Sequence, residues 1–346
     1  MEVESLHSEV AKLKTEKAAL QVKSKLFENF AAMAHSCCRL PSTVEWESLK
    51  NTLQNTNESY RSLDQSKQEI EAYSKALDAE LEKGRQIQRD FLPQHIPKLP
   101  NWEISTYFAP AKQVSGDFYD VFSLPGDNLG VVIADVADKG VGSALYMALI
   151  RSLIRVFSGH ISLHGFANFS INNGVTKPAT EQCATPDQLD ALTAVKLTND
   201  YIAHEHAKQG MFATLFFGVI NPFTGIMAYI NGGHEPVVIA DSSGIKQTLE
   251  PTGPAVGMLV DMKFEIRQVQ IEPGAILIGY TDGVIEAQAP NGDFFTRKRL
   301  RSILEQTTSS ASDLVNRIKS KVSTHVNNAP PSDDITMLAV RRLSLN

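Results

Sequence analysis

The stretch from Gln113 to Met147, QVSGDFYDVFSLPGDNLGVVIADVADKGVGSALYM, limits the possible folds more than any other part of the chain. Two short apolar runs, Phe118–Leu124 and Leu129–Ala134, flank Pro-Gly-Asp-Asn, which reads as the turn of a β-hairpin. Asp117 falls just before the first run and Asp135 just after the second. A hairpin brings those two ends together, so the carboxylates lie side by side at one edge of a sheet. Like charges that close repel, and one of them holds a proton unless a cation intervenes. Oxygen donors with no cysteine or histidine beside them suit a hard ion such as Mg²⁺ or Mn²⁺. Taken singly, either aspartate is an ordinary turn residue. A pair on one hairpin, followed by a glycine-rich break and a helix, points to a site.

The 346 residues can bury a sizeable core, although the hydrophobic fraction of 42% is slightly low for a wholly globular chain. A polar N-terminal segment accounts for the deficit. A net charge of -6 argues against a protein built to bind nucleic acid. Cys37, Cys38 and Cys183 have no regular spacing, which gives neither a disulfide framework nor a zinc motif and implies a reducing, cytoplasmic compartment. No apolar run is long enough for a membrane span, and the acidic start MEVESLHSEV is not a signal peptide.

The first forty residues read as a helical arm. Val3, Leu6, Val10, Leu13, Leu20 and Phe27 follow heptad spacing, and Glu and Lys fill the positions between them. Pro41 ends the pattern, and residues 41–90 read as a helical stalk. Within it Leu63, Ile70, Leu77, Gly84 and Phe91 recur by sevens, with Tyr73 and Ile87 on the intervening seam. Two series with one period predict a coiled-coil homodimer, against the plainer reading of a helix packed on its own domain. Gly84 is a soft point just before Pro93 and Pro97, which end the helix.

From residue 91 to 346 the texture is globular. Trp102–Ala109 alternates as a strand, and Ser143–Phe157 is a helix apolar over most of its circumference. Residues 158–185 are a polar insertion. A helix runs from Thr185 to about Gln209, with His204 and His206 solvated near its end. Met211–Ile220, Ile226–Ile230, Val237–Ala240, Ile245–Leu249, Lys263–Ile271, Ala275–Tyr280 and Ile335–Arg341 read as strands. Arg297–Gln306 and Ala311–Asn327 read as helices. The expected fold is α+β, a central β-sandwich flanked by helices and preceded by the arm. Asp117, Asp135, Asp282 and the pair Asp333/Asp334 all fall at strand ends, along one rim of such a sandwich.

The ordered motifs QIQRDFLP, PAKQVSGDFYD, ADVADKGVGSALYM, FATLFFGVINPFTG, YINGGHEP, GYTDGVIEA and SDDITMLAV resemble the PPM family of metal-dependent serine/threonine protein phosphatases, in its bacterial SpoIIE/RsbU branch. The resemblance covers residues 85–346 and implies two divalent cations, Mn²⁺ or Mg²⁺. By that resemblance Asp135 bridges both ions, Asp117, Asp282 and Asp333 complete the carboxylates, and the Val136 carbonyl is a backbone ligand. Asp333 is preferred over its neighbour Asp334 by the family pattern. The implied chemistry is attack on phosphorus by a metal-activated water, with Asp135 and Asp117 at the catalytic centre and no phosphoenzyme.

This branch lacks the phosphate-holding arginine of eukaryotic relatives. Lys112 is a candidate substitute, against the equally simple reading of a solvated lysine. His234 is a candidate proton donor, although a structural role in its turn fits a histidine there better. Gly116, Gly140, Gly142 and Gly283 are expected to support the site, Gly140 and Gly142 by allowing close packing. The resemblance further implies a phosphorylated STAS-type anti-sigma factor antagonist as substrate, in a sigma-factor partner-switching pathway. The arm stands where this branch often carries a sensory domain, so an activator that binds the arm is a candidate switch. The alternative is an inactive phosphatase-like module that binds partners through its coil. Such a module is expected to have lost a carboxylate, and here every expected position is filled.

Overall fold

The structure is a computed structural model that describes residues 43–159, 184–306 and 308–344, with the single helical positions Lys12, Ala18, Lys25 and Glu28. The first heptad series, the three cysteines and residues 160–183 of the polar insertion lie outside the described residues. The chain divides into two compact units, Met1–Gly84 and Arg85–Asn346. One helix of 49 residues, α1 (Thr43–Phe91), runs unbroken through Gly84 and stops two residues before Pro93. Leu63, Ile70 and Leu77 are half-buried along it, while Tyr73 and Ile87 are exposed. Among the described residues no helix is long and apolar enough to cross a membrane.

The second unit is built from two five-stranded antiparallel sheets. One holds β1 (Trp102–Ala109), β10 (Ile335–Arg342), β9 (Ile276–Tyr280), β6 (Val237–Asp241) and β7 (Gly244–Leu249), in that order. The other holds β2 (Phe118–Leu124), β3 (Asn128–Val136), β4 (Ala213–Ile220), β5 (Ile226–Gly232) and β8 (Arg267–Gln270). Strand alternation supplies two buried faces per sheet. On β3, Val131 and Ile133 point between the sheets, where Phe216, Ile239, Leu277 and Val340 join them. Val132 and Ala134 point outward, beneath α2 (Val141–Phe157) and α3 (Pro186–Glu205), which contribute Met147, Ile150, Ile154 and Leu192. The first sheet is covered in the same way by α4 (Thr296–Leu304) and α5 (Ala311–Val326) through Leu300, Ile303, Leu314 and Ile318. Burial of each such side chain contributes roughly 1.5–3 kcal/mol. The α+β sandwich with outer helices is therefore the observed fold.

Three expectations need correction. The second hairpin strand does not end at Ala134, because Asp135 and Val136 pair with Thr214 and Ala213 of β4. Strand pairing over Lys263–Ile271 is confined to Arg267–Gln270; Phe264 and Ile266 are buried in the core beneath α2 and α3 instead. His206 is not simply solvated, since its ring packs against Tyr146 and Tyr201 at 5.6 and 5.8 Å.

Candidate metal centre

The hairpin register sets the geometry of the rim. Phe118 pairs with Ala134, so Asp117 stands opposite Asp135 at the next position. The two carboxyl groups share a hydrogen bond. Asp117 is buried, and its Oδ2 accepts hydrogen bonds from Thr281 Oγ1 and Thr336 Oγ1, each at 2.7 Å. Thr281 directly follows β9, and Thr336 is the second residue of β10. Asp117 of one sheet is thereby fastened to the other, and the strand ends that carry Asp282 and Asp333 meet it.

The carboxylates of Asp282, Glu286 and Asp333 form a group whose ligand atoms lie within 4.8 Å of one another. Asp135 faces this group electrostatically. Burial, then the charges of Asp282, Asp333 and Asp334, push its carboxyl up to about 7, although the hydrogen bond from Asp117 opposes this. Burial and the charges of Asp333, Glu286 and Glu235 push Asp282 up to about 6. Burial and the neighbouring Asp135 hold Asp117 well above the usual carboxylate range. Crowded acids that resist ionisation, with oxygen as the only donor, have the chemistry of a hard divalent cation site. The residues present fit Mg²⁺ or Mn²⁺.

The neighbours Asp333 and Asp334 have different surroundings. Asp334 is buried; its Oδ1 accepts from Ala111 N at 2.7 Å, and its Oδ2 from Ser115 Oγ at 2.7 Å and Gly116 N at 3.2 Å. It anchors the loop that leads into Asp117. Asp333 is half-exposed and joins the acidic group, with its Oδ2 2.7 Å from Lys139 Nζ. Ser115 is in turn gripped by Gln88 near the end of α1. Ser115 N donates to Gln88 Oε1 at 2.9 Å, and Gln88 Nε2 donates to Ser115 O at 2.6 Å.

The glycines divide. A Cβ at Gly283 would collide with the Asp334 carbonyl, and one at Gly116 would stand 2.7 Å from the Val136 carbonyl oxygen. Close approach thus explains these two. It does not explain Gly140 and Gly142, where an added Cβ meets nothing within 4 Å, so that expectation is corrected. Gly140 has instead a φ of 103°, a conformation that suits glycine before the first turn of α2.

Lys112 is exposed on the loop before β2. His234 is buried and bonded through Nδ1 to Thr214 Oγ1 at 2.9 Å, while its backbone N–H donates to Asn231 Oδ1 at 2.8 Å. Burial lowers its pKa to about 3, so it is neutral at physiological pH and buttresses its turn. Sequence reasoning missed Glu286, Lys139, Ser115, Thr281, Thr336 and Gln88. Only Glu286 carried a local signal, four residues after Asp282 and so on the same side of a helical turn.

The family model for stage II sporulation protein E (SpoIIE) matches residues 125–343. Protein IcfG of Synechocystis sp. is 48% identical over 270 residues, which are 76% of this chain and 41% of that protein. The chain therefore spans less than half of that relative. The phosphoserine phosphatase RsbU of Bacillus subtilis is 25% identical over 280 residues, 80% of this chain and 74% of that protein. Among solved structures, the SiaA-PP2C domain of Pseudomonas aeruginosa superposes with a TM-score of 0.60 at 19% identity, covering 78% of this chain and 98% of that one. The PP2C phosphatase domain of SpoIIE from Bacillus subtilis, with a fragment of its regulatory domain, gives 0.53 at 15% identity, covering 71% and 64%. These two likenesses speak for the fold, and the fold is that of PP2C phosphatase domains. Since the matched residues span most of both sheets and carry Asp135, Asp282 and Asp333, this chain belongs to the SpoIIE family.

Proposed function

We propose that the chain is a metal-dependent phosphoprotein phosphatase acting on phosphoserine or phosphothreonine. The observation that carries this reading is the rim of oxygen donors Asp117, Asp135, Asp282, Glu286 and Asp333, where burial first and neighbouring charge second raise Asp135 to about 7 and Asp282 to about 6. Two divalent ions, Mn²⁺ or Mg²⁺, would supply a water of lowered pKa and offset charge on the phosphoryl oxygens. Asp135, Asp117, Asp282, Asp333 and the Val136 carbonyl would hold these ions. Thr281 and Thr336 orient Asp117. Asp334, fully engaged by the chain's own donors, is assigned to hold the loop and not an ion. No side-chain nucleophile is required. The completeness of the carboxylate set weighs against an inactive binding module.

The names of two relatives, the phosphoserine phosphatases RsbU and RsbP of Bacillus subtilis, support a phosphoserine substrate. We assign it to a small STAS-type anti-sigma factor antagonist in a cytoplasmic partner-switching pathway. Tyr73 and Ile87 are exposed two heptads apart on α1, 58% and 60% accessible, which supports a homodimer through the stalk and an activator acting there. The test is phosphate release from a phosphoserine peptide by the full chain, with Mn²⁺ or with chelator, and by Asp135→Asn. Release that needs both Mn²⁺ and Asp135 is expected. Release unaffected by chelator would overturn the reading, as would a chain that binds Mn²⁺ yet releases nothing from any phosphoprotein offered with a stalk-binding activator.

A further inference from the structure

Lys139 occupies a position that the reading above leaves without a role. It stands on the loop between β3 and α2, flanked by Asp138 with φ 71° and Gly140 with φ 103°, both in the left-handed region. Its ammonium reaches across to the start of β10, where it touches Asp333 Oδ2 at 2.7 Å and donates to Ser332 O at 3.0 Å. The side chain keeps 41% of its accessibility, so the head is held at one side only. Asp333 belongs to the group with Asp282 and Glu286. Its Oδ1 accepts from the Asp334 N–H at 2.9 Å, so Oδ2, the oxygen the lysine holds, is the one left for a divalent ion. Two cations cannot share that oxygen without strong repulsion. Lysine has a flexible four-carbon stem and three rotatable donors, so its head can leave while its root stays at the rim.

A phosphoserine approaching the rim brings about two negative charges among Asp117, Asp135, Asp282, Glu286 and Asp333. A mobile cation rooted there suits that anion. The other basic candidates are placed differently. Lys112 is exposed on its own loop, and Arg297 is bound through two nitrogens to Glu235 at 3.1 and 2.8 Å.

We propose that Lys139 and a divalent ion exchange on Asp333, and that the displaced ammonium then holds the phosphoryl oxygens of the substrate. This rests on the phosphatase reading above and gives its phosphate-holding cation a residue. It also couples two events, since a phosphate ligand becomes available as the metal binds.

The experiment uses the full chain as wild type, Lys139→Met and Lys139→Arg, with binding as the readout. Mn²⁺ uptake is followed by loss of the free-ion EPR signal, and inorganic phosphate binding by calorimetry on the Mg²⁺-loaded protein. Lys139→Met removes an internal competitor, so Mn²⁺ is expected to bind about two- to fivefold tighter, the worth of a half-exposed ion pair. Phosphate is expected to bind about tenfold more weakly, the loss of one charge-assisted hydrogen bond. Lys139→Arg keeps the cation and should stay within about threefold of wild type for phosphate, given the different shape of its head group. Wild-type phosphate affinity in Lys139→Met would overturn the proposal whatever the Mn²⁺ result. A wild-type chain that takes up no Mn²⁺ would overturn the metal-centre reading and this proposal together.

Discussion

Asp135→Asn is expected to make the chain more stable in chelator while removing its response to Mn²⁺. The sign follows from linkage. The folded-state pKa of Asp135, about 7, lies above the 3.8 of an ordinary aspartate, so between those values the folded protein holds a proton that the unfolded chain has lost. The stability contributed by that proton is fully present below pH 3.8 and is lost as pH rises through 7. The rise corresponds to about 4 kcal/mol at 1.36 kcal/mol per pKa unit. Asp117 and Asp282 share the same repulsion, so replacing one carboxylate returns a fraction of it, about 1–3 kcal/mol at pH 8. Asparagine has nearly the size of a protonated aspartate, and its amide oxygen can accept the hydrogen bond from Asp117, so the loss of charge is the main change.

The assay is urea denaturation of both proteins in chelator at pH 4 and pH 8, repeated at pH 8 with Mn²⁺. The variant should match wild type near pH 4 and exceed it at pH 8. His234, whose pKa is lowered to about 3, destabilises both proteins as pH falls below about 6.5, and it cancels in the difference. With Mn²⁺ the order should reverse. Wild type gains about 2.7 kcal/mol at a free ion concentration 100 times its dissociation constant, and the variant gains little. A variant less stable than wild type in chelator at pH 8 would refute the argument, because Asp135 would then be stabilising the fold as an ordinary charged residue.

Three further substitutions probe the supports of the rim. Gln88→Leu leaves the buried N–H and C=O of Ser115 without partners and should cost about 2–4 kcal/mol in thermal or urea denaturation. It should also weaken Mn²⁺ binding, because Ser115 Oγ bonds to Asp334 and accepts from the Asp117 N–H. Gly283→Ala drives a Cβ into the Asp334 carbonyl, so a loss of about 3 kcal/mol or more with reduced Mn²⁺ affinity is expected. Asp120→Asn removes the buried charge that Asp120 shares between Arg155, whose Nε and Nη2 lie at 2.6 and 2.7 Å, and Arg151, whose Nε lies at 3.0 Å. That should cost about 3–5 kcal/mol by freeing α2 from β2, while Mn²⁺ affinity stays within about threefold in the fraction still folded, since these residues lie outside the acidic rim.

The residues that could be read in advance share one property: their geometry is fixed locally. Asp117 and Asp135 face each other because a three-residue turn sets the hairpin register, and Leu124 pairing with Asn128 fixes every pair behind it. The sandwich was legible because alternating strands and apolar helices state which faces are buried. The limits are equally physical. Asp135 and Val136 belong to β3 only because Thr214 and Ala213 of β4 are there to pair with them, far along the chain. Thr281 and Thr336 look like ordinary strand-end threonines until the two sheets close and Asp117 lies between them.

The division of labour between Asp333 and Asp334 shows how packing assigns a role that residue type cannot. The two are chemically identical and adjacent. Asp334 turns toward Ala111, Ser115 and Gly116, whose donors fill its oxygens. Gly283, opposite, is small enough to let its carbonyl come close. Asp333 is left facing Asp282, Glu286 and Lys139. A site of this kind needs some of its acids satisfied by the chain, so that the remaining ones keep a fixed separation while they repel. Asp334 and Asp117 supply that rigidity through five hydrogen bonds to named donors, Ala111, Ser115, Gly116, Thr281 and Thr336. Asp135, Asp282 and Asp333 supply the charge. Because Gln88 closes the same network from the last turns of α1, a displacement of that helix changes the support of Ser115 first and the spacing of the acids second. If the rim holds ions as proposed, the end of α1 from Arg85 onward would bear on metal affinity through Ser115.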